Sequence, residues 1–137
     1  MDVQLLHHIS LPVADVERSR RFYREVMRLA EIPRPDFPFP GVWFRLGDRE
    51  LHLIGGEEAR PQGARSTNPR ELHYAVRVSS YREALDHFHA HGYREDAAPD
   101  DPTRLVLRPH AVTGYPQIYV LDPDRHLIEI NAERLDV

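Results

Sequence analysis

The feature that most constrains the fold of this chain is an internal repeat. Two segments, at about residues 4–56 and 70–133, each have the pattern of a strand, a helix and then further strands. Each half is too small to bury its own sheet face, so the halves must pack together, within one chain or by exchange between two chains. We therefore predict a single α+β domain over residues 1–137, with two paired βαβββ modules forming a cupped mixed sheet around a central site. A linker rich in Gly, Pro and polar residues joins the modules at 57–69.

The first module opens with an alternating segment, Leu5–Val13, whose aliphatic face lies opposite the face that carries His8. Asp15 is a good N-cap for the helix that follows, and the proline-rich run IPRPDFPFPG must end that helix. That run is expected to hold a short irregular strand. Val42–Leu46 and Glu50–Ile54 are then separated by a Gly-Asp turn, which predicts a hairpin.

The second module repeats this order. Leu72–Val78 alternates with His73 on its polar face, and Ser80 forms a capping box at the start of the next helix. Gly92 is expected just after the end of that helix. The remaining strands are predicted near residues 93–97 and 104–108, and in a final hairpin of 117–121 and 127–131.

Composition narrows the classes of function. The chain has 18 basic and 22 acidic residues, a net charge of −4 and scattered arginines, which argues against nucleic acid as a partner. It has no cysteine, so any metal must be held by imidazole and carboxylate. No apolar stretch has the length of a membrane span, and the first residues lack a signal-peptide pattern, so we expect a cytoplasmic protein.

Strand alternation brings a set of ligand-type side chains to one side. Aligning the modules on their first strands places His8 over His73, and aligning their last strands places His52 over Glu129. Because the aliphatic faces must cover the helices, these four side chains are expected on the opposite, inward face. Two imidazoles and a carboxylate, with His52 optional, suit a divalent first-row metal that keeps open positions for substrate. His7 is expected to point away from its neighbour.

Three segments, LHHISLPVADVERSRRFY, LHYAVRV and IYVLDPDRHLIEI, together resemble the vicinal oxygen chelate superfamily. This is the group of glyoxalases, bleomycin and fosfomycin resistance proteins and extradiol dioxygenases, and the resemblance covers nearly the whole chain. It implies one divalent ion (Zn, Ni, Fe, Mn or Co) on His8, His73 and Glu129, with Glu129 also the catalytic proton shuttle. His52 lies where glyoxalase I-like members carry a ligand Glu, and Arg125 departs from the Gly usual in that turn. The resemblance also implies a homodimer.

The resemblance favours a metal-dependent, glyoxalase-like lyase or isomerase, acting on a small substrate that chelates the metal through vicinal oxygens. Arg77, on the same strand face as His73, and Tyr119 are candidate substrate-binding residues. Three alternatives stay open. Two His and one carboxylate also form the facial triad of a non-haem iron dioxygenase. The chain also has the size of a fosfomycin-type thiol transferase, or of a non-enzymatic protein that binds a small molecule such as an antibiotic.

Overall fold

The structure is a computed structural model that describes residues 1–136. The chain divides into two compact units, Met1–Pro61 and the residues from Gln62 onward. Each unit contains one four-stranded sheet and one α-helix, so the α+β class and the two βαβββ modules are confirmed. The elements are β1 (His8–Pro12), α1 (Val16–Arg21), a π-helical turn (Phe22–Val26), β2 (Glu31–Ile32), β3 (Gly41–Leu46), β4 (Arg49–Ile54), β5 (His73–Val78), α2 (Tyr81–Ala90), β6 (Val106–Arg108), β7 (Gln117–Leu121) and β8 (Leu127–Ala132).

The two sheets have the same topology. Their strand orders are β1-β4-β3-β2 and β5-β8-β7-β6, so the first strand of each module lies beside its last strand. That pairing is parallel in both modules, and the other strand pairs are antiparallel. A parallel pair needs a long crossover connection, which the helix and the two middle strands supply. The repeat seen in the sequence is therefore a repeat of topology.

Both helices begin where their capping residues predict. The side chains of Asp15 and Ser80 each accept a hydrogen bond, at 3.0 Å, from the backbone N–H three residues further on. Gly92 follows α2 with φ +88°, the left-handed conformation that closes many helices. The first helix differs in one respect, because it continues from Arg21 into the π-helical turn. Helical spacing predicts the buried face of this segment but not the wider winding.

In each sheet, the aliphatic face lies opposite the face that carries His52 or Glu129. Leu51 and Leu53 of β4 are fully buried on one face, while His52 lies on the other. In β8, Ile128 and Ile130 take the same place opposite Glu129. No helix within residues 1–136 combines the length and the apolar character needed to cross a bilayer.

Strand β1 is shorter than predicted, since it begins at His8 rather than at Leu5. The register places His8 beside Glu50 of β4, so a longer parallel ladder would run into the turn at Gly47. Without a strand beside it, Leu5 stays 51% exposed. The hydrophobic pattern identified the strand, but the length of its neighbour β4 determined where β1 begins.

The middle of the second module is less regular than predicted. Residues 93–97 form no strand and make only one isolated bridge, between Arg94 and Arg104. The predicted strand at 104–108 is reduced to Val106–Arg108. The intervening segment contains two prolines, which cannot donate to a ladder, so an extended pairing cannot form there.

The turn before β8 keeps the shape that glycine would favour. Arg125 has φ +66°, in the left-handed region that a side chain enters at a cost. Its Nε donates to the carbonyl of Ala64 at 3.0 Å, and the N–H of Ala64 donates to the carbonyl of Arg125 at 2.7 Å. These contacts offset the strained conformation. The departure from the family pattern therefore leaves β8 intact, starting at Leu127.

Candidate metal and substrate site

Glu129 lies at the centre of a polar cluster on one face of the second sheet. Its side chain is buried, with an exposed fraction of 6%. One carboxylate oxygen, Oε1, accepts from Gln117 Nε2 at 3.1 Å and from Asn131 Nδ2 at 2.9 Å. The other, Oε2, accepts from the hydroxyl of Tyr119 at 3.0 Å. A buried carboxylate needs such donors to replace lost hydration, and three neutral donors meet that need without a permanent ion pair.

His73 completes the cluster from the start of β5. Its Nε2 lies 3.4 Å from Glu129 Oε2, and its Nδ1 lies 2.8 Å from the backbone carbonyl of Glu71. A carbonyl oxygen only accepts, so Nδ1 must carry a proton, and Nε2 is the ring nitrogen that faces Glu129. This arrangement is the usual support for a metal-binding histidine. The structure therefore brings two predicted ligands together within one unit.

The hydroxyl of Tyr119 donates to this carboxylate and keeps its proton. Burial, followed by the hydrogen bond to Glu129 and the charge of that carboxylate, raises the pKa of Tyr119 to about 12, against an opposing effect of Arg108. The phenol therefore stays protonated throughout the physiological range. Its ring also meets the ring of His73 edge-on, with 5.7 Å between centroids. Tyr119, predicted as a substrate-binding residue, thus contacts both candidate ligands.

Arg77 extends the cluster along β5. Its Nε donates to Asn131 Oδ1, and its guanidinium carbon lies 5.0 Å from the centre of the Tyr115 ring. Because Asn131 also donates to Glu129, one amide links the arginine to the buried carboxylate.

Gln117 was not identified from the sequence as a member of this cluster. Strand alternation could have found it, since it lies two residues before Tyr119 on the same face.

In the first unit, His52 lies between two aromatic rings. It stacks on Trp43 with 3.7 Å between ring centroids and 2° between planes, and on His8 with 4.2 Å and 19°. Its Nε2 is 3.4 Å from Glu50 Oε1. Burial and the neighbouring His8 lower the pKa of His52, and they outweigh the contact with Glu50 that raises it. A neutral, stacked imidazole therefore supports the flat side of His8.

His7 does not point away from His8 as the sequence suggested. The two Nδ1 atoms lie 2.9 Å apart, so one ring donates to the other. The expectation rested on strand alternation, but His7 precedes the first residue of β1 and need not follow it. This contact fixes Nδ1 of His8 and leaves its Nε2 as the second ring nitrogen.

A cavity of about 810 Å³ lies in the first unit, at the far end of the face that carries His8. Strands β1 and β4 contribute one side and the loops at 38–40 and 55–60 the other. Its lining is largely apolar, with charged groups only on the second loop, and includes Ser10, Pro12, Phe39, Pro40, Ile54 and Arg60. A pocket of this size suits a small organic molecule.

The predicted ligands occur as two pairs in the structure. His8 contacts His52 in the first unit, and His73 contacts Glu129 in the second. Across residues 1–136, no three His, Asp or Glu side chains are grouped closely enough to hold a metal ion. The set of His8, His73 and Glu129 as ligands of one ion therefore stays a prediction.

Two βαβββ modules of identical strand order, each with an imidazole at the start of its first strand, define a duplicated α+β class of fold. The family model of the Glyoxalase/Bleomycin resistance protein/Dioxygenase superfamily matches residues 5–130. This match spans most of the chain, which therefore belongs to that superfamily. The resemblance identified from the sequence motifs is confirmed.

Solved structures share the fold over nearly the whole chain. A glyoxalase family protein from Bacillus anthracis is 24% identical, with a TM-score of 0.73 over 96% of this chain and 97% of that chain. A fosfomycin resistance protein from Listeria monocytogenes is 21% identical, with a TM-score of 0.69 over 98% and 100%. Lactoylglutathione lyase from Agrobacterium tumefaciens is 18% identical, with a TM-score of 0.68 over 96% of each chain. At these identities the likeness shows the fold alone.

Proposed function

We propose that this protein is a metal-dependent, glyoxalase-like lyase or isomerase. One divalent ion would be held by His8, His73 and Glu129, with His52 either a fourth ligand or the ring that supports His8. The substrate would be a small molecule that offers the ion two vicinal oxygens. The two imidazoles and the carboxylate come from equivalent faces of the two modules, either within one chain or across two copies.

The observation that carries this proposal is the pair formed by His73 and Glu129. Their ligand atoms are 3.4 Å apart, close to the separation of two ligands that each lie about 2.1 Å from a tetrahedral ion. The proton on Nδ1 of His73 is already committed to a backbone carbonyl, so Nε2 is the atom left for an ion. The donor set also suits the metal, because imidazole and carboxylate bind divalent first-row ions.

The chemistry would then divide among a few groups. A bound divalent ion supplies Lewis acidity, which favours negative charge on a substrate oxygen. Glu129 would accept a proton from the substrate carbon and return it to the neighbouring atom. Gln117 and Asn131 hold Oε1 in place, so Oε2, which accepts from Tyr119 alone, is the oxygen that would change partners. Tyr119, with its raised pKa, donates to Oε2 and keeps the carboxylate oriented without competing for the substrate proton. Arg77 would bind an anionic part of the substrate.

The ligands bound to one relative support a vicinal-oxygen substrate. A variant of the Listeria fosfomycin resistance protein has been solved with Mn(II) and 1S,2S-dihydroxypropylphosphonic acid, which is a vicinal diol. The Agrobacterium relative is a lyase. Both share only the fold with this chain, so they indicate the class of chemistry rather than the reaction.

A second candidate is a non-enzymatic binding protein. It is favoured by the fact that Glu129 already accepts three hydrogen bonds, as a purely structural carboxylate would. The cavity in the first unit would then take the ligand. The two candidates differ in one measurable property, the binding of an ion by Glu129.

The test is metal content. Protein stripped with a chelator is reloaded separately with zinc, nickel, manganese, cobalt or anaerobic iron(II), desalted, and analysed by mass spectrometry. About one ion per chain is expected in the parent, and none in His73→Ala or Glu129→Gln. The matched control is His89→Ala, because His89 Nε2 lies 2.9 Å from Glu95 and forms a histidine–carboxylate pair elsewhere. Equal metal content in all four proteins, or none in the parent, would overturn the proposal. Retention of iron(II) alone would favour the dioxygenase alternative.

We also propose a homodimer in the cytoplasm that does not bind nucleic acid or membranes. The dimer follows from the resemblance to the superfamily, and exposed Leu6 and Leu72, which precede the edge strands β1 and β5, are available to such an interface. The net charge of −4 disfavours polyanionic partners. Sedimentation equilibrium would show a single species of twice the 16.0 kDa chain mass, and a monomer at all concentrations would refute the dimer.

A further inference from the structure

Four polar side chains form one cross-strand row on the face that carries Glu129. Arg77 of β5 lies beside Asn131 of β8, which lies beside Gln117 of β7, which lies beside Arg108 of β6. Residues paired in register point to the same side of a sheet, so two guanidinium groups flank two amides. Glu129 lies in the next row, two residues before Asn131 on β8.

The two amides are buried and fixed, whereas the two arginines are exposed. The exposed fractions of Gln117 and Asn131 are 5% and 7%, and both amides donate to the carboxylate of Glu129. Asn131 in turn accepts from Nε of Arg77, and the guanidinium plane packs over the ring of Tyr115. Asn131 therefore holds the Nε edge of the Arg77 guanidinium, and the ring of Tyr115 packs against one of its faces. Its terminal nitrogens keep their N–H donors, which is the geometry used to bind carboxylate or phosphate with two hydrogen bonds.

The two arginines of this row, Arg77 and Arg108, have no direct carboxylate partner among the described residues. Glu129 is the acidic residue of the neighbouring row, and its carboxylate already accepts hydrogen bonds from Gln117, Asn131 and Tyr119 rather than from an arginine. A face with two unpaired guanidinium groups favours an anionic ligand.

We propose that Arg77 and Arg108 together bind an anionic oxygen group of the substrate, a carboxylate, phosphate or phosphonate. The backbones of β5 and β6 are three strand spacings apart, about 14 Å, so two long side chains reaching over the amides approach one small anion from opposite sides. This inference rests on the proposed function for its choice of substrate face. It makes the substrate a small anion in which the charged group lies next to the part that meets Glu129.

The test uses the metal-free protein and inorganic phosphate as the probe. Phosphate is titrated at constant ionic strength, with chloride as the balancing anion, and binding is followed by amide NMR shifts in β7 and β8. Arg77→Gln and Arg108→Gln should each weaken phosphate binding at least about tenfold, the order expected for loss of one charge-assisted contact. The control is Arg82→Gln, because Arg82 is an exposed arginine of α2 outside the row.

The outcomes separate this inference from the proposed function. Weaker phosphate binding in both row variants, with an unchanged Arg82→Gln, supports the anion site whether or not the protein binds a metal. Phosphate shifts no larger than those caused by chloride, or equal losses in all three variants, would overturn it. Portions of the same proteins that are reloaded with metal should all retain the parent's metal content, because neither arginine is a ligand. A protein that binds phosphate at the row but no metal would retain the anion site and lose the lyase proposal.

Discussion

Replacing Tyr119 with phenylalanine isolates the hydrogen bond that orients the candidate catalytic carboxylate. Tyr119 is 2% exposed, and its hydroxyl donates to Oε2 of Glu129 at 3.0 Å. Phenylalanine keeps the ring and leaves no cavity, so packing against Leu121 and Leu127 is preserved. The change therefore removes one hydrogen bond and little else.

The expected cost follows from the charge of the acceptor. A hydrogen bond to an ionised group contributes about 1.5–3 kcal/mol, so Tyr119→Phe should lower the free energy of unfolding by about 2 kcal/mol at pH 7. Two donors remain on Oε1, which keeps Glu129 from being left wholly unsatisfied and limits the loss. For a chain of this size the melting temperature should fall by about 8 °C.

The assay is urea unfolding of metal-free protein, since a bound ion would add its own binding energy to the folded state. The matched control is Tyr81→Phe. The hydroxyl of Tyr81 is buried and has no hydrogen-bond partner among residues 1–136, so its removal should be neutral or stabilising by about 1 kcal/mol. Equal losses in the two variants would refute the reasoning, because they would show that the hydroxyl of Tyr119 contributes no more than an unpaired one.

Three further predictions concern the scaffold. In Gly63→Ala, the new Cβ would lie 2.3 Å from the backbone oxygen of Asp124, so the turn must shift, and urea unfolding should show a loss of about 1–3 kcal/mol. Asp15→Ala removes the N-cap of α1 and should cost about 1 kcal/mol in the same assay, whereas Asp15→Ser should retain most of the stability. Burial raises the pKa of both Tyr93 and Tyr119 from 10.0 to about 12. The unfolded chain therefore loses these two protons first. The free energy of unfolding should be insensitive to them below about pH 10 and fall between pH 10 and 12. Tyrosinate absorbance should show both groups titrating late, together with Tyr81, whose pKa burial also raises.

The sequence predicted those features that depend on alternation and capping. His73 and Glu129 could be assigned to one face of the sheet because the apolar residues that alternate with them along β5 and β8 must cover the other face. The start of α2 followed from Ser80 for an equally local reason, since a hydroxyl at that position satisfies a free backbone N–H. Neither inference needs knowledge of what lies beside the strand.

The features that were missed depend on register between strands. The stacking of Trp43 on His52 requires these residues to lie opposite each other in β3 and β4, and a shift by one residue would separate them. Gln117 reaches Glu129 only because β7 and β8 pair as they do. His7 lies outside the ladder, where alternation carries no information. Strand alternation gives the face of Gln117, but the sequence alone leaves each of these contacts undetermined.

The central claim is that one ion is bound by residues from both modules. The most direct measurement is X-ray absorption at the metal edge of the loaded protein, beside His8→Ala and the His89→Ala control. The imidazole contribution at about 2.0–2.1 Å should fall by one ligand in His8→Ala and stay unchanged in His89→Ala. The same number of imidazole ligands in His8→Ala as in the parent would contradict the account, because the ion would then be held without the first module's histidine.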